Sequence, residues 1–314
     1  MSSASVPTDV ILYPLPSHLP FHHSNFQYHN LRRLRISTFP GVVNQPVSLL
    51  NQGVSLEKLE IRGVSLQSLQ ISWNHLTSAI VVDYNFAEIV PLFQHASRMT
   101  YCQISFTRFH GGNFSITHQN LKVLGLLDTG SSEGATAILG CLTLPSLQEF
   151  HTNTLAFLNP ACLPALVHRS SCPLTGITLC RHLDESGCLD FQPFPGVTDL
   201  VLEHINAHGT IVKLLLEAYF PDLLHLTLQL QPFRFLWGMG KIPRLLDRIT
   251  RRPDSDVQNE GGLCKLLVVD EHRASQIDEM WNSDVGKQLK ELGFGLRKDG
   301  FEFLRHQPST TLHR

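Results

Sequence analysis

The sequence predicts an α/β chain in which short parallel strands alternate with helical or irregular return segments. Two observations support this prediction. The pattern apolar-x-x-apolar-x-apolar recurs along the chain, and most intervals between its copies fall between 22 and 27 residues. Several intervals also show the 3.6-residue periodicity of an amphipathic helix. Each repeat therefore combines one strand with one return segment.

The six-residue pattern supplies the predicted core. Alternate residues of a strand point to the same side, so the apolar positions of each copy enter a shared interior. One repeat cannot bury its apolar face alone, and successive repeats must stack. The copies are Leu31/Leu34/Ile36, Leu56/Leu59/Ile61, Leu66/Leu69/Ile71, Leu76/Ala79/Val81, Met99/Cys102/Ile104, Leu121/Leu124/Leu126, Leu147/Phe150/Thr152, Leu174/Ile177/Leu179, Val197/Leu200/Leu202, Leu223/Leu226/Leu228 and Leu263/Leu266/Val268.

This spacing is typical of the leucine-rich repeat, whose unit is about 20 to 29 residues long. The most complete copy of its consensus runs from Leu66 to Leu76, with Asn74 at the turn position. We predict a leucine-rich-repeat-like solenoid, an irregular horseshoe with a parallel concave sheet and helical or irregular convex segments. Residues 31–305 form the solenoid, with a polar insertion at about 231–262, between an N-terminal extension (1–30) and a C-terminal tail (306–314).

Three return segments have helical patterns. Residues 85–93 place Phe86, Ile89, Val90 and Phe93 on one face, and residues 210–220 and 135–142 are similar. The near-duplicate sequences at 53–62 and 63–72 break the period, because a step of 10 residues is too short for a complete turn of the solenoid. The sequence leaves the strand assignment at 53–72 open.

Composition argues against several partner classes. The chain has 25 Lys and Arg against 27 Asp and Glu, so it lacks the excess of positive charge on which nucleic acids and anionic membranes depend. No apolar run approaches the length of a membrane span, and the N-terminus lacks a signal-peptide pattern. Seven cysteines, an odd number spread over a long chain, favour reduced thiols. We expect a protein of the cytoplasm or nucleus that binds neither nucleic acid nor membrane.

The repeat also predicts a binding face. Residues between the apolar positions point away from the core and line the concave sheet, where polar and charged groups of both signs suit a protein partner. We also expect Trp73, just past a strand, to serve as an aromatic anchor. The predicted partner-binding residues are Arg33, Arg35, Glu60, Arg62, Gln70, Trp73, Gln103, His151, Thr178, Glu203, Thr227 and Gln229.

Residues 142–150 and 169–179 resemble repeat phrases of fungal F-box/leucine-rich-repeat-like proteins. In that family an F-box docks on a Skp-type adaptor within a cullin ubiquitin ligase, while the repeats recruit a substrate. The resemblance covers the repeat region only, since residues 1–30 contain no F-box pattern. It implies a non-enzymatic protein-interaction module, a substrate-recognition or scaffolding protein, with neither cofactor nor metal. A structural repeat protein without a specific ligand is a further alternative.

The alternative from another class is an α/β hydrolase. Residues 130–134 fit the G-x-S-x-G pattern, with Ser132 between a predicted strand and a predicted helix, which is the context of a nucleophile elbow. Asp199 and His225 are candidate acid and base partners. Repetition of one strand pattern every 22 to 27 residues argues against this fold. Cysteines and histidines also crowd residues 162–188, but without the paired spacing of a zinc site.

Overall fold

The computed structural model divides the chain into two compact units, residues 1–173 and 174–314. The structure describes residues 9–12, 31–37, 47–48, 55–63, 66, 69–105, 114–127, 132–153, 162–180, 196–205, 222–230, 265–269, 282, 287, 290, 294–297 and 302–305. The predicted helix at 210–220, the polar insertion at 231–262 and the C-terminal tail at 306–314 lie outside these residues.

The chain is an α/β protein, as predicted, and a parallel sheet forms the centre of the first unit. Its strands are β1 (Asp9–Leu12), β2 (Arg33–Ser37), β4 (Lys58–Arg62), β6 (Ser78–Val82), β7 (Tyr101–Ser105), β9 (Val123–Leu127) and β11 (Glu149–Thr152), which neighbour one another in this order. All these pairs are parallel. β1 belongs to the residues that sequence analysis assigned to an N-terminal extension.

The apolar repeat aligns in register across this sheet. Leu34, Leu59, Ala79, Cys102 and Leu124 occupy one row, and each is at most 3% exposed. A second buried row contains Ile36, Ile61, Val81, Ile104, Leu126 and Thr152. The stacked rows confirm the alternation that the sequence predicts. Burial of apolar area contributes about 25 cal/mol per Å², so these rows stabilise the fold.

A pair of backbone hydrogen bonds recurs at the start of the main strands. The carbonyl oxygen of the residue that precedes one strand accepts hydrogen bonds from two consecutive N–H groups at the start of the neighbouring strand. Thr77 O, for example, accepts bonds from Thr100 N and Tyr101 N at 2.9 and 3.2 Å. Within the first unit, the acceptors are Arg32, Glu57, Thr77, Thr100 and Lys122; within the second, they are Thr175 and Thr198. The Thr77 and Thr100 hydroxyls also donate to the acceptors Glu57 O and Thr77 O. Each repeat therefore starts its strand with the same geometry.

The return segments of the first unit contain helices and short strands. They are β3 (Val47–Ser48), β5 (Leu69–Gln70), α1 (Phe86–His95), β8 (Ile116–Thr117), α2 (Ser132–Cys141), β10 (Leu142–Thr143) and α3 (Cys162–Ser170). α1 and α2 confirm two predicted helices, and the predicted apolar face of α1 is buried. A capping box at Asn85 and Glu88 begins α1.

Only one of the two near-duplicate sequences at 53–72 supplies a strand of the main sheet. The first copy supplies β4 of the main sheet, whereas β5 from the second copy pairs with β3 in a separate two-stranded ladder. Parallel neighbours need a crossover of about a dozen residues or more, which a 10-residue step cannot provide. Leu66, Leu69 and Ile71 are nevertheless 4 to 5% exposed. The apolar pattern of the second copy thus contributes to the core from a return segment.

The second unit also contains a parallel ladder. It consists of β12 (Gly176–Cys180), β13 (Asp199–Ile205), β14 (His225–Leu230) and β15 (Lys265–Val269), paired in this order. β17 (Glu302–Arg305) joins β15 in the antiparallel direction, and β16 (Phe294–Arg297) pairs with β17. Among the described residues of both units, no helix is long and apolar enough to cross a membrane.

Polar contacts join α3 to the end of α2. The Arg169 guanidinium donates to Leu139 O at 2.6 Å and to Leu142 O at 2.6 and 3.0 Å. These bonds satisfy carbonyl groups that a helix C-terminus leaves without partners. The buried Ser170 hydroxyl accepts a bond from Leu144 N at 2.9 Å. The last turn of α3 therefore fixes the start of the segment that leads to β11.

Replacing Ser170 by alanine should lower the free energy of unfolding by about 1 to 3 kcal/mol, because the buried Leu144 N–H loses its acceptor. Urea denaturation followed by circular dichroism measures this change. Ser97→Ala, at an exposed serine, is the control and should stay within about 0.5 kcal/mol of the parent protein. Equal stability of the two variants would contradict the assigned hydrogen bond.

Candidate partner-binding face

The candidate site is the face of the first unit's sheet that points away from the buried rows, which we call the outer face. Its residues alternate along each strand with core residues such as Leu34, Cys102 and Phe150. Parallel register aligns them in three rows. In strand order, the rows are Asp9, Arg33, Lys58, Ser78, Tyr101, Val123 and Glu149; Arg35, Glu60, Ile80, Gln103, Gly125 and His151; and Ser37, Arg62, Val82, Ser105 and Leu127.

Positive charge is concentrated on β2 and β4, which carry four of the cations on this face and one carboxylate, Glu60. Two of the cations form close ion pairs. Arg35 lies 2.8 Å from Glu60, and the Arg62 Nε donates to Asp83 Oδ2 at 2.8 Å. Both pairs are partly exposed, so each contributes at most about 1 kcal/mol to folding. Their main effect is to hold the two guanidinium groups in place.

Arg33 and Lys58 are direct register partners. Arg33 has a long contact of 3.7 Å with Asp9, and both side chains are more than half exposed. Among the described residues, no carboxylate lies within ion-pair distance of Lys58. Like charges on directly opposed strand positions repel each other. This corner of the outer face therefore carries positive charge that the protein itself leaves incompletely neutralised.

The centre of the outer face is uncharged. Ile80 and Val82 on β6, Tyr101 on β7, and Val123 and Leu127 on β9 are all half-buried. The remaining residues of these strands on this face are Ser78, Gln103, Ser105 and Gly125. Aliphatic and aromatic side chains flanked by charge are the composition expected of the core and rim of a protein interface.

Hydrogen bonds along β7 order part of this centre. The Tyr101 hydroxyl donates to Gln103 Oε1 at 2.8 Å, and Gln103 Nε2 donates to Ser105 Oγ at 3.4 Å. A Cβ atom at Gly125 would lie 3.1 Å from Gln103 Cγ. Glycine at this position lets the Gln103 side chain lie over the neighbouring strand. The three polar groups thus hold one another against the sheet.

The far end of the face carries negative charge. Glu149 on β11 is exposed, and its Oε2 lies 3.4 Å from His151 Nε2. The outer face consequently has a positive end on β2 and β4, a neutral centre on β6, β7 and β9, and an end on β11 whose acidic group is Glu149.

Six of the predicted binding residues lie together on this face: Arg33, Arg35, Glu60, Arg62, Gln103 and His151. Gln70 and Trp73 do not. Gln70 belongs to β5, which pairs with β3 rather than with the main sheet. Trp73 is half-buried and begins a short 3-10 turn, Trp73–His75, within the segment that leads to β6. The sequence predicted both as binding residues because the second near-duplicate copy has the pattern of a main strand.

The other predicted residues lie in the second unit. Thr178 and Thr227 share a row with Val201, and both threonines are half-buried. Glu203 and Gln229 are direct register partners on β13 and β14, although their side chains lie outside the described part of the structure. The predicted set therefore divides between two separate units.

One His–Asp pair lies in the second unit. His225 Nδ1 is 2.7 Å from Asp199 Oδ1, and the Thr198 hydroxyl donates to Asp199 Oδ2 at 2.6 Å. Asp199 thus accepts the Nδ1–H of the imidazole and orients the ring, as in a general base. Within the described residues, His225 forms no hydrogen bond to a hydroxyl or thiol nucleophile.

Ser132 begins α2, the first helix after β9, and its side chain lies outside the described residues. Ser132 belongs to the first unit, whereas Asp199 and His225 belong to the second. The strand-to-helix order that the sequence predicted for this segment is present.

The cysteines of the first unit are structural in environment. Cys102 is fully buried beneath the outer face, and burial raises the pKa of its thiol from 9.0 to about 12. Burial also raises the pKa of the Cys162 thiol, although hydrogen bonds, first that of Thr136, oppose the shift. A thiol with a raised pKa is a poor nucleophile near neutral pH. No group of three or more metal-ligating side chains occurs among the described residues.

The sequence analysis missed the uncharged centre of the outer face and the Lys58 cation. It selected mainly polar and charged residues between the apolar positions and passed over Ile80, Val82, Val123 and Leu127. The signal was present, since strand alternation assigns these residues to the same face as Arg35 and Glu60. An apolar residue at an outward position of a repeat is therefore as informative as a charged one.

The buried Cys102 thiol predicts a specific loss of stability in alkali. The unfolded thiol loses its proton above pH 9, whereas the folded thiol keeps it until about pH 12. The unfolded state then binds fewer protons, so the free energy of unfolding should fall between these pH values by up to about 1.4 kcal/mol per pH unit. Urea denaturation of the parent protein and of Cys102→Ala between pH 8 and pH 11 measures the difference.

The parent protein should lose more stability over this pH range than Cys102→Ala. Cys141→Ala, at a half-buried thiol, is the matched control and should retain the steeper dependence. Identical pH profiles for the parent protein and Cys102→Ala would show that Cys102 ionises normally in the folded state.

Comparison of the chain with protein-family models, with curated proteins and with solved structures finds no match.

Proposed function

We propose that the chain is a leucine-rich-repeat-like protein that binds a protein partner through the outer face and has no catalytic chemistry of its own. One observation carries this proposal. The first unit contains a parallel sheet with one fully buried side, whereas its other side keeps apolar and charged side chains half-buried or exposed. Parallel sheets in α/β proteins normally have both faces covered. A partner that covers the second face accounts for its composition.

The order of the strands supports the solenoid part of the proposal. Each main strand of the first unit pairs with the previous one on the same side, in the sequence β1, β2, β4, β6, β7, β9 and β11. Crossovers between parallel strands are almost always right-handed, so strands added in one direction send every return segment to the same side of the sheet. The recurring backbone bond before each strand is a second mark of a repeated unit.

The role within a larger assembly is substrate recognition or scaffolding. We base this part on the resemblance of residues 142–150 and 169–179 to F-box/leucine-rich-repeat-like proteins, in which the repeats recruit the substrate. Such a role fits a protein of the cytoplasm or nucleus. Docking on a Skp-type adaptor is a separate question, since residues 1–30 contain no F-box pattern and β1 uses Asp9–Leu12 as a strand of the sheet.

A charge placed in the centre of the outer face should strongly reduce partner recovery. Ile80→Lys puts a cation in the uncharged centre, whereas Gln94→Lys makes the same change at an exposed position of α1. We expect affinity purification from cell extract, quantified by mass spectrometry, to recover a distinct protein with the parent chain and with Gln94→Lys. The same protein should be depleted about tenfold with Ile80→Lys, as expected for charge in a desolvated interface core.

Equal recovery with all three chains would contradict binding at the outer face. Thermal denaturation of Ile80→Lys separates a lost contact from a lost fold, since the variant should unfold near the temperature of Gln94→Lys. Recovery of an adaptor and a cullin with every chain would extend the proposal to ligase docking. Charge reversal at Arg35 or Arg62 is a less suitable test, because it would place two carboxylates against each other at Glu60 or Asp83.

A further inference from the structure

We propose that the partner contacts the outer face with an amphipathic α-helix lying across the strands. Acidic residues at one end of this helix lie over Arg33 and Lys58, its apolar stripe covers the centre, and a basic residue at the other end lies beside Glu149. This inference rests on the proposed function and specifies its partner.

The positive end selects an acidic group. Arg33 and Lys58 are register partners, and within the described residues Lys58 has no carboxylate at ion-pair distance. Their mutual repulsion is present in the free protein. A carboxylate placed over both cations removes this repulsion and adds attraction to each. An apolar group gains no such attraction, and a cation would be repelled.

The opposite end selects a basic group. Glu149 occupies the same row as Lys58 and is exposed. His151 is its neighbour along β11, and its ring nitrogen lies 3.4 Å from the carboxylate. The Glu149 side chain is still 53% exposed, so it is accessible to a cation from a partner. A partner with a lysine or arginine at this end therefore complements the row, and one with acidic residues at both ends does not.

The separation of the two ends sets the length of the helix. The row passes from Lys58 through Ser78, Tyr101 and Val123 to Glu149, which makes four steps between strands. At about 4.8 Å per step, the charged ends lie about 19 Å apart. An α-helix covers that distance in about 13 residues, or between three and four turns.

The centre favours a helix over an extended segment. The outer face presents side chains, and the backbone groups of its interior strands are already bonded to neighbouring strands. An extended peptide on the half-buried Ile80, Val82 and Leu127 would lose water from backbone groups without gaining partners. A helix satisfies its backbone internally and places apolar side chains along one stripe. Its pitch of about 5.4 Å is close to the strand spacing of about 4.8 Å.

The test uses the full chain and synthetic peptides of about 16 residues, long enough to span both ends. All peptides share one apolar stripe and carry a fluorescent label. The first has two glutamates at one end and two lysines at the other, the second has glutamates at both ends, and the third has lysines at both ends. A fourth repeats the first with a central proline that breaks the helix. Fluorescence anisotropy measures the Kd of each.

We expect the parent chain to bind the first peptide at least about fivefold more tightly than the second, third or fourth. Lys58→Glu should change the preference to the peptide with lysines at both ends. Glu149→Lys should change it to the peptide with glutamates at both ends. Arg98→Glu makes the same charge change as Lys58→Glu at an exposed position between α1 and β7, so this control should retain the preference of the parent chain.

Equal binding of the helical and proline-containing peptides would overturn the helical partner. An unchanged preference in Lys58→Glu and Glu149→Lys would overturn the charge pattern, and absence of binding by every peptide would overturn the inference as a whole. None of these results contradicts partner binding at the outer face, which depends on the separate comparison of Ile80→Lys with Gln94→Lys.

Discussion

The register of the parallel strands is the constraint on which the rest of the structure depends. In the first unit, each strand contributes the same two positions to the buried rows, and the row from Leu34 to Phe150 crosses from β2 to β11 without a shift. A slip of one residue in any strand would turn its apolar side chains outward. Two backbone hydrogen bonds to one carbonyl oxygen, as at Thr77 and Thr100, fix the register at the start of the neighbouring strand.

The outer face is a direct consequence of this register. Residues that alternate with a continuous core must themselves form continuous rows, so a charge on one strand acquires fixed neighbours on the next. This is why Arg35 meets Glu60, and why Arg33 comes to lie beside Lys58. The first arrangement is neutralised within the protein, whereas the second leaves positive charge exposed. The same geometry thus produces one neutralised charge pair and one exposed cluster of positive charge.

Much of the main sheet could be predicted from the sequence, because its strands follow from one apolar pattern. The prediction failed where the pattern serves another purpose. Leu66, Leu69 and Ile71 have the spacing of a main strand, yet they pack from a return segment since ten residues cannot contain a strand and its crossover. β1 and α3 were not predicted from the repeat. Of the candidate site, the sequence located six residues but not the uncharged centre, because polarity was given more weight than position on the strand.

The core and the outer face share the same strands but use different residues, so the two can be altered separately. On β7, Cys102 and Ile104 are fully buried, while Tyr101 and Gln103 alternate with them along the strand and lie on the outer face. A substitution at an outward position leaves the apolar rows intact, and its effect on binding can be measured without a matching loss of stability. Gly125 is the exception on this face, because a Cβ atom there would lie 3.1 Å from Gln103 Cγ. A side chain at that position would therefore disturb both the outer face and the packing of Gln103 on the sheet.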